Sequence, residues 1–193
     1  MSPDQLASCA GCRTSALAAS WLPLIEAAMA SYGIDTPCRQ AAFLANVGHE
    51  SGGLKYTTEL WGPTPAQLRY EGRIDLGNVR PGDGRLYRGH GLIQTTGRAN
   101  HARVRNRLRL KFPDRIVPDF EMSPELLCIA EWAALSAADF WDDHKLNAWA
   151  DKGDFDGVCD IINRGRKTMR EGDSNGFAER KALWLVGRKV LGC

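Results

Sequence analysis

The region 51–97 constrains the fold most, because it interrupts a sequence that is otherwise helical. Glycine, proline, threonine and tyrosine crowd this region, and no long helical period survives in it. Elsewhere apolar residues recur at helical spacing, which predicts helices over 14–31, 37–50, 98–110, 124–142, 154–163 and 174–190. Within the region, 86–88 and 92–95 are candidates for two short strands. The sequence therefore predicts a mainly α fold with a small β-hairpin or sheet, and a break or kink near Pro23 in the first helix.

Length and composition fit one globular unit. The 193 residues are enough for one substantial core and demand no second domain. Hydrophobic residues make up 44% and charged residues 25% of the chain, which excludes wholesale disorder. No apolar run approaches the ~20 residues that a membrane span needs. Residues 1–5 lack the features of a signal peptide, so we expect synthesis in the cytoplasm without one.

Charge gives little support for nucleic-acid binding, because the formal net charge is only +2. A local basic run consists of Arg98, Arg103, Arg105, Arg107, Arg109 and Lys111. A solvated helix face is the simplest interpretation of this run, and contact with an anionic wall or a phosphate is the alternative.

Six cysteines raise the question of metal or disulfide chemistry, at positions 9, 12, 38, 128, 159 and 193. Only Cys9 and Cys12 are close in sequence, and the four histidines have no metal-ligand spacing, so no metal site is predicted. Scattered free thiols are the favoured interpretation, with disulfides formed after export as the alternative.

Glu50 is the first candidate for a catalytic carboxyl group. It is expected at the C-terminal end of the helix over 37–50, where Ser51-Gly52-Gly53 lets the chain leave sharply. Partial burial and the negative end of a helix dipole both favour a protonated carboxyl group, as a general acid requires. A helix end capped for structural reasons alone is the alternative.

Glu59 is the candidate for a second carboxylate, since glycoside hydrolysis needs one protonated and one ionised carboxyl group. It follows the glycine turn and lies beside Trp61, a potential surface for sugar stacking. Glu71, Asp75 and Asp83 lie in the same region and remain alternatives for this role, or solvated loop carboxylates.

Residues 87–100, Tyr-Arg-Gly-His-Gly-Leu-Ile-Gln-Thr-Thr-Gly-Arg-Ala-Asn, place hydrogen-bonding side chains among glycines. Amide and hydroxyl groups of this kind suit neutral acetamido sugars. An ordinary β-hairpin with polar faces is the alternative.

Three segments in this order resemble the family 19 glycoside hydrolases, which comprise the plant-type chitinases and related bacteriophage endolysins. They are 42–53 with its His-Glu-Ser-Gly-Gly, then Glu59 followed by 87–100, and finally 161–165, Ile-Ile-Asn-Arg-Gly. The resemblance covers nearly the whole chain and is greatest to the endolysins. It implies a lysozyme-like, bilobal α+β fold, mainly helical, with a small β-hairpin or sheet beside a substrate cleft. It also implies one catalytic domain over 1–193 without a separate wall-binding domain.

The resemblance makes Glu50 the general acid and Glu59 the general base of an inverting reaction. The two carboxyl groups of such a pair lie roughly 6.5–9.5 Å apart, which admits a water molecule. The resemblance implies cleft positions for Gln94, Thr96, Asn100 and Asn163, with Thr96 holding the attacking water, while His49 and Tyr87 line or brace the cleft. This chemistry uses carboxylates and water, so neither a cofactor nor a metal is implied.

Ala99 and Arg164 depart from the chitinase pattern, which commonly has an aromatic residue and a glycine at these positions. A cation at Arg164 suits a wall polymer that carries carboxylates, unless a salt bridge within the fold neutralises it.

We therefore expect an endolysin of the lysozyme type, which hydrolyses the β-1,4 bonds between N-acetylmuramic acid and N-acetylglucosamine in peptidoglycan. A chitinase using the same residues on a neutral polymer is the alternative. A binding protein without catalysis and a nucleic-acid module are disfavoured. As a monomeric bacteriophage lysin, the protein would reach the periplasm through a membrane-permeabilising partner, a holin, and lyse the host.

Overall fold

The computed structural model describes all 193 residues, Met1–Cys193, and is mainly helical. Its ten α-helices are α1 (Pro3–Ala10), α2 (Ser15–Ser31), α3 (Pro37–Ser51), α4 (Pro65–Leu68), α5 (Asp83–Leu86), α6 (Arg98–Lys111), α7 (Ala130–Asp143), α8 (Leu146–Asp151), α9 (Phe155–Arg164) and α10 (Phe177–Leu191). Two short 3-10 helices cover Ile74–Leu76 and Pro124–Cys128. No helix combines the length and the hydropathy that crossing a bilayer requires. The predicted mainly α fold is confirmed.

The chain forms two compact units. Unit 1 combines residues 1–55 with 140–193, and unit 2 comprises residues 56–139. In unit 1, α3 packs most extensively against α10, and α1 packs against both helices. The expected single catalytic domain over 1–193 stays a prediction.

Helix α3 is the buried centre of unit 1. The Thr36 hydroxyl caps its first turn, Pro37 occupies the first helical position, and residues 41–48 are all buried. A Cβ atom at Gly48 would lie 2.2 Å from the carbonyl oxygen of Ala10, so this glycine lets α1 approach the helix closely. The helix that carries the first candidate carboxyl group is therefore held rigidly by its neighbours.

Most helices agree with the predicted boundaries, but two predictions need correction. Helix α2 runs without a break through Pro23, because burial of Trp21, Ile25 and Ala28 stabilises it on both sides of the proline, and a kink there stays a prediction. The helix predicted over 124–142 is interrupted, since Ile129 adopts an extended conformation between the 3-10 helix and α7. Helices α1 and α8, the short helices α4 and α5 and the first 3-10 helix were not predicted.

The two predicted strands are wrong. Leu86 ends α5, and the residues from 91 to 94 form a turn in which Gly91 (φ 78°) and Gln94 (φ 57°) are left-handed. Such residues turn the chain before a ladder of strand pairs can extend. Two isolated antiparallel bridges remain, in which His90 pairs with Thr58 on one side and with Thr95 on the other.

A disulfide joins Cys38, in the first turn of α3, to Cys193, the residue after Gly192 at the end of α10. The other four cysteines are free thiols. The favoured interpretation of six free thiols is thus wrong for this pair. The sequence could not reveal it, because 155 positions separate two cysteines whose Cα atoms lie 5.1 Å apart.

Candidate functional site

Glu50 projects from the end of α3, where its side chain is 21% exposed. Gly52 ends the helix in the left-handed conformation with φ 60°. The Ser51 hydroxyl donates to the Val47 carbonyl at 2.7 Å and accepts from the Leu54 amide at 2.9 Å. The chain leaves the helix sharply at Gly52, as the Ser-Gly-Gly sequence predicted, and hydrogen bonds of Ser51 fix the turn.

Arg180, on α10, contacts Glu50 and was not predicted as a site residue. Its guanidinium is 1% exposed and donates through Nη2 to Oε1 of Glu50. Nη1 donates to Oδ1 of Asn46 at 2.9 Å, and Nε donates to the Asn175 carbonyl at 3.1 Å. Glu50 is thus the acidic side chain in contact with this buried guanidinium. Oε2 of Glu50 makes no hydrogen bond and keeps its capacity for a ligand.

His49 and Asn163 lie beside the same helix end. Oδ1 of Asn163 accepts from the Asn175 amide at 3.0 Å. The backbone of Gly176 lies against the His49 ring, because a Cβ atom there would be 2.1 Å from Cε1. Burial, followed by the charge of Arg180, lowers the pKa of His49 and keeps the ring neutral at neutral pH. The three predicted site residues of unit 1 are therefore gathered around Asn175 and Arg180.

Glu59, in unit 2, has a carboxylate that three hydrogen bonds hold in place. Its Oε1 accepts from Nε2 of Gln67 at 2.9 Å and from the Tyr70 hydroxyl at 3.3 Å, and its Oε2 accepts from the Gly89 amide at 2.9 Å. The Glu59 amide in turn donates to the Gly89 carbonyl at 2.8 Å. Because a carboxylate has about four acceptor positions, Oε2 can still accept from a water molecule.

Gln67 organises the loop around Glu59, although nothing in the sequence marked it as a site residue. It is 5% exposed, and its Oε1 accepts from the amides of Gly62 and Thr64 at 3.2 and 2.8 Å. Its Nε2 also donates to the Leu60 carbonyl at 2.8 Å. The loop so fixed carries Trp61, whose ring centroid lies 6.4 Å from that of Tyr70.

The alternatives to Glu59 all have structural partners. Glu71 accepts from the amides of Gly82 and Gly84, both at 2.7 Å. Asp75 is exposed and forms an ion pair with Arg73. Asp83 is buried against Arg98 at 2.6 Å, which holds the pKa of this carboxyl group below its usual range. Burial and the ion pair with Arg98 thus disfavour Asp83 as the base, whereas Glu71 and Asp75, like Glu59, keep acceptor positions for a water molecule and stay alternatives.

Residues 87–100, the segment rich in hydrogen-bonding side chains, include Gly89, whose amide binds Glu59. The Gln94 side chain packs against Gly89, because a Cβ atom there would lie 2.6 Å from Oε1 of Gln94. The Thr96 hydroxyl donates to the Gln94 carbonyl at 3.0 Å, and Nδ2 of the exposed Asn100 donates to the Thr96 carbonyl at 2.7 Å.

Tyr87 is 1% exposed, and its hydroxyl donates to the Glu121 carbonyl. The guanidinium carbon of Arg98 lies 4.5 Å from the centre of its ring. Of the two roles expected for this residue, lining or bracing, burial favours bracing.

Most cations in the basic run have partners within unit 2. Arg98 forms an ion pair with Asp83, and Arg105 forms ion pairs with Asp119 and Glu121. Arg107 forms an ion pair with Asp139. Arg109 donates to the Val117 carbonyl. These contacts reduce the charge that α6 can offer to an anionic ligand. In unit 1, Arg164 is likewise paired with Asp173, at 3.7 Å.

Comparison with known proteins finds a partial match to a family 19 domain protein and a fold shared with a chitinase. No family model matches the chain. A glycosyl hydrolase family 19 domain-containing protein of Haemophilus influenzae is 33% identical, and the match covers 42% of this chain and 54% of that protein. The chain thus spans about half the length of this curated relative. Chitinase C from Streptomyces griseus HUT6037 has the same fold, with a TM-score of 0.68 at 20% identity, covering 99% of this chain and 76% of the chitinase chain. The resemblance to family 19 is confirmed.

Proposed function

We propose that this relative of the family 19 glycoside hydrolases is an inverting glycosidase, with Glu50 as general acid and Glu59 as general base. One observation carries the assignment. Each carboxyl group has oxygen atoms engaged by protein donors and retains acceptor or donor capacity at Oε2. An acid and a base that are held in place but still open to substrate and water are what inverting hydrolysis requires.

In the proposed reaction Glu50 begins protonated and gives its proton to the glycosidic oxygen as the bond to the anomeric carbon breaks. The negative charge that then develops on Glu50 lies beside the guanidinium of Arg180, which is already in place and needs no rearrangement. Glu59 removes a proton from the water that attacks the anomeric carbon from the opposite face. The product has the inverted configuration, and exchange with solvent returns both carboxyl groups to their starting states.

The proposed substrate is peptidoglycan, cleaved between N-acetylmuramic acid and N-acetylglucosamine. Its support is the resemblance of the sequence to the family 19 endolysins. Arg164 adds no support, because Asp173 and its carbonyl group engage the guanidinium. Chitin is the second candidate, favoured by the shared fold with a chitinase.

We also propose that the protein acts as a monomeric bacteriophage endolysin. It would reach the periplasm after a membrane-permeabilising partner opens the inner membrane, and would then lyse and kill the host. Size-exclusion chromatography tests the monomer. Lysis of cells that express the chain with and without a holin tests the need for release.

Digestion of purified peptidoglycan and of chitin oligomers, with mass spectrometry of the products, tests the proposal. Fragments with reducing N-acetylmuramic acid ends, absent with Glu50→Gln, are the expected result. Cleavage of chitin alone would assign the second candidate. Cleavage of neither polymer by the folded protein would overturn the glycosidase assignment.

A further inference from the structure

The backbone of His90 connects the two segments of unit 2 that carry proposed site residues. Its amide donates to the Thr95 carbonyl at 3.0 Å and its carbonyl accepts from the Thr95 amide at 2.8 Å. On the other side, the neighbouring Gly91 amide donates to the Thr57 carbonyl at 2.8 Å. His90 therefore sets the position of Gly89, whose amide binds the carboxylate of Glu59.

The side chain of His90 is held by a second buried histidine. Nδ1 of His90 lies 3.0 Å from Nε2 of His101, and Nδ1 of His101 lies 2.8 Å from the Gly97 carbonyl oxygen. A carbonyl oxygen only accepts, so His101 must carry its proton on Nδ1. Its Nε2 is then an acceptor when the ring is neutral, and His90 must donate through Nδ1. The two hydrogen bonds thus connect the side chain of His90, through His101, to the carbonyl of Gly97, the residue just before α6.

Both rings are neutral at neutral pH. Burial, followed by the nearby His101 and Arg88, lowers the pKa of His90 to about 3, and burial lowers the pKa of His101 to about 4. The other ionisable group against the pair is Tyr87, whose ring centroid lies 5.3 Å from that of His101. No carboxylate contacts either ring, so nothing compensates a positive charge there.

We propose that the His90–His101 pair is a positioning device that holds the Gly89 amide against Oε2 of Glu59. Both rings are buried, at 1% and 0% exposure, so the pair acts through the backbone on the proposed general base. This inference rests on the proposed function of Glu59. A buried neutral pair of this kind fixes one loop conformation, because each ring has a defined partner for its hydrogen bond.

Two substitutions remove the device. His101→Phe keeps a ring of similar shape and loses both hydrogen bonds, and His90→Leu loses the donor. We expect each to lower kcat on the order of 10- to 100-fold while KM changes little, because a small displacement of a catalytic group has effects of this size. His90→Asn offers an amide donor near the position of Nδ1 and should recover most of the rate.

His144→Phe is the matched control. His144 is a histidine of unit 1 that stacks on Phe140 with 4.0 Å between ring centroids and contacts its carbonyl through Nδ1 at 2.9 Å. Its replacement should leave kcat unchanged.

Hydrogen exchange of the Gly89 amide, followed by NMR, separates positioning from a general loss of stability. The proposal predicts faster exchange at Gly89 in His90→Leu than in His90→Asn, with unchanged exchange in the core of α6. Equal turnover and equal Gly89 exchange in folded His90→Leu, His90→Asn and wild-type protein would overturn it. If wild-type protein cleaves neither polymer, the proposed function fails, whereas the exchange comparison still decides whether the pair positions Gly89.

Discussion

The carboxyl groups of Glu50 and Glu59 are held in position in different ways. Glu50 stands at the end of a long buried helix and has one charged partner, Arg180. Glu59 stands in a loop and accepts three hydrogen bonds from neutral donors, one of them a backbone amide. The position of Glu50 thus depends on helix packing, whereas that of Glu59 depends on a network that any loop displacement disturbs. Substitutions should therefore separate chemistry from stability at Glu50 but not at Glu59.

Glu50→Gln should have the largest effect on activity. The amide keeps the shape of the side chain and still accepts from Arg180, but it cannot give a proton to the leaving group. We expect kcat to fall on the order of 10²- to 10⁴-fold, with the melting temperature nearly unchanged. Turnover of peptidoglycan or chitin fragments and thermal unfolding measure the two quantities. Wild-type turnover by the folded variant would remove Glu50 from the mechanism.

Glu59→Gln should lower activity about 100-fold and also lower the stability of the protein by about 1 kcal/mol. Both carboxylate oxygens accept from donors, so an amide nitrogen at either position leaves a donor facing a donor. Glu71→Gln is the matched control, since its two oxygens also accept from amides, those of Gly82 and Gly84. It should lower stability similarly and leave kcat intact. The opposite result would transfer the role of base to Glu71.

The sequence predicted the Glu50 side of this comparison better than the Glu59 side. Helical periodicity, the Thr36-Pro37 start and the Ser-Gly-Gly end are local signals, and the predicted helix over 37–50 agrees with Pro37–Ser51. Arg180 was missed because it lies 130 positions from Glu50, and no local pattern encodes that contact.

The same limit applies to the loop of unit 2. In the sequence, Gln67 is an ordinary polar residue. Only the fold shows that it is buried and donates to Glu59. The strand predicted over 92–95 failed because Gln94 is left-handed, a conformation that its residue type does not predict. Residue identity suggested the polar character of the segment 87–100, and only the fold defines which groups meet.

Arg180→Lys should separate charge from geometry at Glu50. Lysine keeps the cation but cannot reach Glu50, Asn46 and the Asn175 carbonyl together, so buried acceptors lose their partners. We expect a loss of about 1–3 kcal/mol in the free energy of unfolding, measured by urea denaturation. Arg39→Lys is the control, because the more exposed Arg39 also donates to three partners, Asp151, Asp35 and the Gly33 carbonyl. Equal losses in both variants would show that burial of Arg180 adds nothing.

Thr96→Val tests whether the loop of unit 2 holds a water molecule. The hydroxyl donates its proton to the Gln94 carbonyl, which leaves its oxygen free to accept from water. If it holds the attacking water, the substitution should cost about 1–3 kcal/mol of transition-state stabilisation, measured as kcat/KM. Thr95→Val is the control, since Thr95 pairs with His90 through its backbone. An equal effect at both positions would argue for a packing role.

Mild acid should weaken unit 2 through His90 and His101. Their pKa values are lowered by folding to about 3 and about 4, below the ordinary value of 6.5. The unfolded chain therefore binds protons that the folded chain does not, and stability falls as pH drops from about 6.5 towards 4. Between pH 7 and 6 the two histidines together should reduce the free energy of unfolding by about 1 kcal/mol. Urea denaturation of wild-type protein and of His90→Asn measures this, and the variant should lose about half of the pH dependence that His90 and His101 contribute. An identical pH dependence would mean that His90 is not held neutral in the folded protein.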